Sequence, residues 1–108
     1  MNDDHAIEAR PDCAAMRGVM RLDSPDAYAR LFEPMRKLMI AAPHYAIDVT
    51  ELVLMNSSGI RALGMLVLAA KRAGIKVTLR GKRDVPWQKK TMASLAPLYP
   101  TGLTVELA

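Results

Sequence analysis

Tyr45–Gly81, YAIDVTELVLMNSSGIRALGMLVLAAKRAGIKVTLRG, changes its periodicity twice. Tyr45, Ile47 and Val49 alternate with Ala46, Asp48 and Thr50, the two-residue period of a strand. The apolar run stops at Asn56, Ser57, Ser58 and Gly59. Ile60, Leu63, Leu66, Val67 and Ala70 then recur at helical spacing, and Gly74 supplies a C-terminal cap near Ala73. "IKVTLRG" returns to a short β-branched strand. Strand, helix and strand in that order make a crossover unit, and crossovers are how parallel strands are joined.

The flanks extend the same pattern. "HAIEA" reads as a weak edge strand within residues 1–12, which are otherwise weakly ordered. "CAAMRGVMRL", Cys13–Leu22, places Ala14, Met16, Gly18, Met20 and Leu22 on one face of a second strand, with Gly18 a candidate bulge. In "DSPDAYARLFEPMRKLMIAAP", Ser24 can cap, Pro25 suits the first helical position and Asp26 complements the dipole. Tyr28, Leu31, Phe32, Met35, Leu38 and Met39 form the inward stripe. Pro34 removes the bond to the Arg30 carbonyl at a cost of ~3 kcal/mol, which predicts a kink or two short helices. After Gly81, Asp84 is expected to cap a helix over "VPWQKKTMASLAPLY", broken by Pro97 and Pro100, before a last strand, "LTVEL". The sum is an α/β domain with a mixed, mostly parallel sheet and helices packed on it.

At 108 residues there is room for one core, and with 5% aromatic residues it must be filled by aliphatics and the 8 methionines. The longest apolar run, Ala62–Ala70, falls well short of the ~20 residues that span a bilayer, against direct membrane insertion. The N-terminus is acidic and lacks an apolar signal core, and Cys13 is the only cysteine, so a reducing cytoplasm is the expected compartment. The net charge is +4, with Arg80, Lys82, Arg83, Lys89 and Lys90 clustered late in the chain. Trp87 alone could stack a base among them, so the cluster reads as a solvated face or a patch for an acidic protein, with no nucleic-acid partner. Trp87 itself reads as a core or staple residue.

Enzyme chemistry finds little to work with. His5 and His44 are the only near-neutral bases, one in the N-terminal tail and one in a turn after Pro43, and neither has a nucleophile or metal-ligand spacing around it. Cys13 lies inside the expected second strand, as a small hydrophobe rather than a reactive thiol. The expectation is a non-enzymatic protein with no catalytic residues, no metal and no cofactor.

The informative features sit at the start of the central helix. Ser57 and Ser58 fall where unpaired backbone N–H groups and the positive dipole end favour an anion, although a helix cap alone would explain them. Arg61, Gly64, Met65, Leu68 and Arg72 occupy the side of that helix opposite its core stripe, two large apolar side chains flanked by arginines. Either another element or a homodimer covers them, or they dock a protein partner beside Ser57.

The stretch Tyr45–Gly81 resembles the centre of a STAS domain of the anti-sigma-factor-antagonist type, whose pattern is a strand with an acidic residue, "DSSG" or a close variant, an apolar helix, a glycine and a strand. The resemblance covers most of the chain; its specific part is about a third. It implies that Ser57 is the residue phosphorylated by a serine kinase that doubles as an anti-sigma factor, that this partner binds the unphosphorylated form, and that a metal-dependent serine phosphatase resets it. It assigns Asn56, Ser58 and Gly59 to the motif and cap, Asp48 to the acidic position of the strand, and Arg61, Met65, Leu68 and Arg72 to the partner surface. Asn56 stands where the family usually has aspartate, and "GLTVELA" stands where it has a further helix, which would leave sheet surface to a partner or second subunit. A second implied reading is a constitutive STAS scaffold subunit of a phospholipid-trafficking ABC transporter, with Ser57 only a cap.

Overall fold

The computed structural model describes residues 5–108. The chain runs β1 (His5–Ala9), β2 (Cys13–Met20), α1 (Pro25–Ile40), β3 (His44–Met55), α2 (Ser57–Ala73), β4 (Lys76–Gly81), α3 (Pro86–Leu95) and β5 (Leu103–Leu107), with a short 3-10 turn at Ala96–Leu98. The strands form one sheet in sequential order, β1-β2-β3-β4-β5. β1 pairs antiparallel with β2 at one edge, and the other three pairings are parallel. This is the α/β class, with the mixed, mostly parallel sheet that the alternation of strands and helices predicts.

Each parallel step crosses over in the same direction, so right-handed connections stack the helices on one face. α2 lies in the middle, in contact with both α1 and α3. Beneath them the core takes Met16, Met20, Met35, Met39 and Met92, together with Tyr28, Tyr45, Ile47, Leu63 and Leu79. Methionine thus substitutes for the scarce aromatics, its flexible thioether filling irregular gaps. On the sheet's other face Ala15, Asp48, Arg80 and Glu106 stand in register side by side, a row of small and charged residues open to solvent.

Four local expectations need correction. Of the two expectations at Pro34, the break into two short helices is not found: α1 continues as one helix through Pro34. Pro34 and Arg30 are both exposed, so the freed carbonyl lies on the solvent side, where water can bond to it. The cap of α3 is Val85, with no side-chain bond, rather than Asp84. Pro86 takes the first helical position and holds the residue before it extended, which leaves Asp84 one residue too early. α3 ends at Leu95 and tightens into the 3-10 turn containing Pro97 instead of running on to Tyr99. His44 begins β3 rather than lying in a turn, its Nε2 2.8 Å from Thr78 Oγ1, whereas His5 opens the edge strand that "HAIEA" predicts. At Gly18 (φ 92°) the β2–β3 register shifts, as the bulge reading of that glycine expects.

β3 outruns its neighbour. It pairs with β2 as far as Met55 but with β4 only as far as Asp48. Past that point the first turn of α3 stands in for a strand. Gln88 is fully buried and its Nε2 donates to the carbonyls of Val49 (2.6 Å) and Leu52 (2.9 Å). Its Oε1 accepts from the Lys82 N–H at 2.7 Å, and Trp87 Nε1 donates to the Leu52 carbonyl at 3.1 Å. Carbonyls that would otherwise be orphaned in the interior are satisfied by two adjacent side chains.

Candidate functional site

The C-terminal ends of β2 and β3 lie side by side, Met20 paired with Met55, and the N-termini of α1 and α2 rise from there. Ser24 caps α1, accepting from the Ala27 N–H at 3.2 Å. Asn56 caps α2 from extended backbone, its Oδ1 accepting from the Gly59 N–H at 3.1 Å. The same oxygen accepts from the Tyr28 hydroxyl at 2.7 Å, while Nδ2 donates to the Leu22 carbonyl at 3.0 Å. The Tyr28 oxygen in turn accepts from the Leu22 N–H at 3.3 Å. Leu22, Tyr28 and Asn56 thereby close a ring of bonds that locks the β2–α1 turn to the start of α2.

The ring explains Asn56. An aspartate could keep the two bonds to Oδ1, but as a carboxylate it has no donor for the Leu22 carbonyl. Burial is the main cause that raises the Tyr28 hydroxyl above its usual range, opposed by its bond from Leu22. Gly59 completes the packing, because a Cβ there would lie 2.8 Å from Tyr28 Cζ and would run into Met55.

With Asn56 as cap, Ser57 is not needed for that role. It is exposed at the first position of α2, Ser58 beside it is half-buried, and no side-chain hydrogen bond among the described residues uses either hydroxyl. The first turn of α2 holds no acidic residue. Negative charge added there meets the positive end of a 17-residue helix and Arg61 one turn on.

The outer residues of α2 divide between its two flanks. Arg61, Met65 and Arg72 line a groove of about 500 Å³ between α1 and α2. Its apolar surface comes from Ala29 and Phe32 on α1 and from Ala62, Met65, Leu66 and Ala69 on α2. Met65 is 56% exposed in it. Gly64 is buried instead, close enough to α3 and its 3-10 turn that a Cβ would meet Leu98 and Leu95 at 3.5 and 3.7 Å. Leu68, one turn beyond Gly64 and half-buried, falls on that flank and does not line the groove.

Asp48 is placed apart from Ser57, Ser58 and Gly59. Asn56 lies eight positions further along the chain, roughly 26 Å along β3. There it accepts from the N–H and hydroxyl of Thr50 at 2.8 and 2.6 Å, at the point where β4 stops pairing with β3. Among the described residues no three His, Cys, Asp or Glu side chains gather to hold a metal, and no helix is long and apolar enough to cross a membrane.

Sequence reasoning missed two site residues' roles. Tyr28 reads as one more member of the α1 stripe, and only its hydroxyl, where phenylalanine would have served a purely apolar face, hints at a partner. Gln88 is hidden by its neighbours Lys89 and Lys90, which make the segment look solvated. Compared with protein-family models and with curated proteins, the chain matches none.

Proposed function

We propose that this chain is a non-enzymatic, cytoplasmic regulatory domain of STAS type that resembles the anti-sigma-factor antagonists. It binds a serine kinase or anti-sigma partner when Ser57 is free, releases it when Ser57 is phosphorylated, and is reset by a serine phosphatase. The observation that carries this reading is the division of labour at the start of α2: Asn56 caps, and Ser57 is left exposed with its hydroxyl unengaged among the described residues. A phosphate at that position gains from the helix dipole and from Arg61, so the modified form is compatible with an intact fold. The same charge at the rim of a protein interface supplies the difference in affinity that a switch needs.

The test is to tag the protein in its native host and identify by mass spectrometry what co-purifies with wild type, Ser57→Ala and Ser57→Asp. A kinase-like protein held by wild type and Ser57→Ala but lost from Ser57→Asp, with phosphate on wild-type Ser57, is the expected outcome. Recovery of the same transporter subunits with all three would overturn it in favour of the scaffold reading.

A further inference from the structure

We propose that the α1–α2 groove seats an acidic amphipathic helix of a partner protein, and that phosphate on Ser57 weakens this contact by engaging Arg61. The second half rests on the switch proposed above; the first does not.

Shape comes first. Two neighbouring helices leave a trough whose bottom is kept low by Ala29, Ala62 and Ala69, with the exposed, adaptable Met65 standing in it. A trough of this form receives the apolar stripe of a third helix.

Charge then selects the occupant. On the α1 wall Glu33 is already held by Arg36, both bonds being 2.8 Å. On the α2 wall Arg61 and Arg72 make no ion pair among the described residues. They lie about 16 Å apart along the helix axis, three turns, so a partner helix lying along the groove meets both with carboxylates about eleven residues apart and apolar residues between. Asp26, at the Arg61 end of the α1 wall, directs the partner's acidic edge toward α2. A second copy of this chain suits the groove poorly, because at +4 it brings like charge to unpaired arginines.

Regulation follows from spacing. Ser57 and Arg61 are four residues apart and are neighbours on the helix surface. A phosphate of nearly two negative charges at Ser57 engages Arg61 and repels the partner's carboxylate at that end.

The probe is a synthetic 18-residue amphipathic peptide with two glutamates eleven residues apart and leucines on the intervening face, compared with its lysine-for-glutamate counterpart. Amide shifts are followed by NMR titration into wild type, Arg61→Glu/Arg72→Glu and Ser57→Asp, whose changed residues are exposed. The expected result is saturable binding of the acidic peptide with shifts at Ala29, Arg61, Met65 and Ala69. It should weaken at least tenfold in the double variant and several-fold in Ser57→Asp. Shifts lying elsewhere, equal binding of the lysine peptide, or no saturation at millimolar peptide would overturn the groove assignment. Equal affinity for wild type and Ser57→Asp would overturn the regulatory half alone. If a native partner is lost from Ser57→Asp yet retained by Arg61→Glu/Arg72→Glu, the switch stands and the groove is refuted.

Discussion

Replacing Gln88 with leucine, close to it in size, should be the most damaging single polar-to-apolar change in this chain. The side chain is fully buried and makes three bonds, to the Val49 and Leu52 carbonyls and from the Lys82 N–H. Leucine removes all three, but the consequences are unequal. The Leu52 carbonyl keeps Trp87 Nε1, whereas the Val49 carbonyl and the Lys82 N–H lose the bonds that Gln88 gives them. An unsatisfied buried group costs about 1–3 kcal/mol, and Lys82 is exposed enough for water to recover part of its share. The net loss is therefore about 3 kcal/mol, a fall in Tm of about 10–20 °C for a domain this size. Urea unfolding followed by circular dichroism measures it directly. Gln88→Glu separates hydrogen bonding from packing. Its carboxylate faces two carbonyls, so its folded pKa should lie above the unfolded value of ~4.3. The variant then loses stability, relative to acid conditions, as pH rises from the unfolded pKa through the folded one. A Gln88→Leu protein within about 1 kcal/mol of wild type, or a Gln88→Glu penalty independent of pH, would refute the role of Gln88 as a substitute strand partner.

Asn56→Ala removes the cap and leaves the Leu22 carbonyl without its donor, a loss of about 2 kcal/mol; Tyr28→Phe should cost about 1 kcal/mol, and the two should couple by at least about 0.5 kcal/mol in a double-mutant cycle, strict additivity arguing against the ring. Gly59→Ala gains at most ~1 kcal/mol of helix propensity but forces a methyl against the buried Tyr28 ring, so thermal melts should show net destabilisation of about 1–2 kcal/mol, and a stabilised variant would count against that packing. Burial raises the hydroxyls of Tyr28 and of Tyr45, the latter with Cys13 and Asp12 adding to the shift. A group whose folded pKa is raised contributes stability that is complete below the unfolded value, ~10 here, and is lost as pH climbs through the folded value. Part of the tyrosine absorbance change should therefore appear only with alkaline unfolding, and ordinary titration of all three tyrosines in a chain that stays folded would contradict it.

Most strands and helices were legible because their periodicities were clean. Tyr45, Ile47 and Val49 alternate into the core, and Ser24 and Gly74 punctuate their helices as their chemistry dictates. What escaped was set by partners far away in the chain. Nothing local tells that Pro34 faces water, or that Gly64 and Leu68 turn toward α3 while Met65 faces α1. Ser57 stood out as a position, yet its exposed hydroxyl depends on Asn56 doing the capping. Asn56 is held in that role by Tyr28, 28 residues earlier. Likewise the carbonyls beyond Asp48 look like those of any strand until β4 stops short and Gln88 arrives from 36 residues downstream of Leu52.

The sequential strand order bears on how the protein is made. Each new strand pairs with the one just completed, so the sheet can grow outward as the chain leaves the ribosome, through connections that keep sequence separations modest. The overhang of β3 is the exception. Its carbonyls at Val49 and Leu52 are in place early but receive their donors from Trp87 and Gln88 only after β4 has docked and α3 has begun to wind. Until then that edge can be copied by a passing strand. Synthesis of the last third of the chain is therefore the period in which aggregation competes with folding, and the first turn of α3 is the event that ends it.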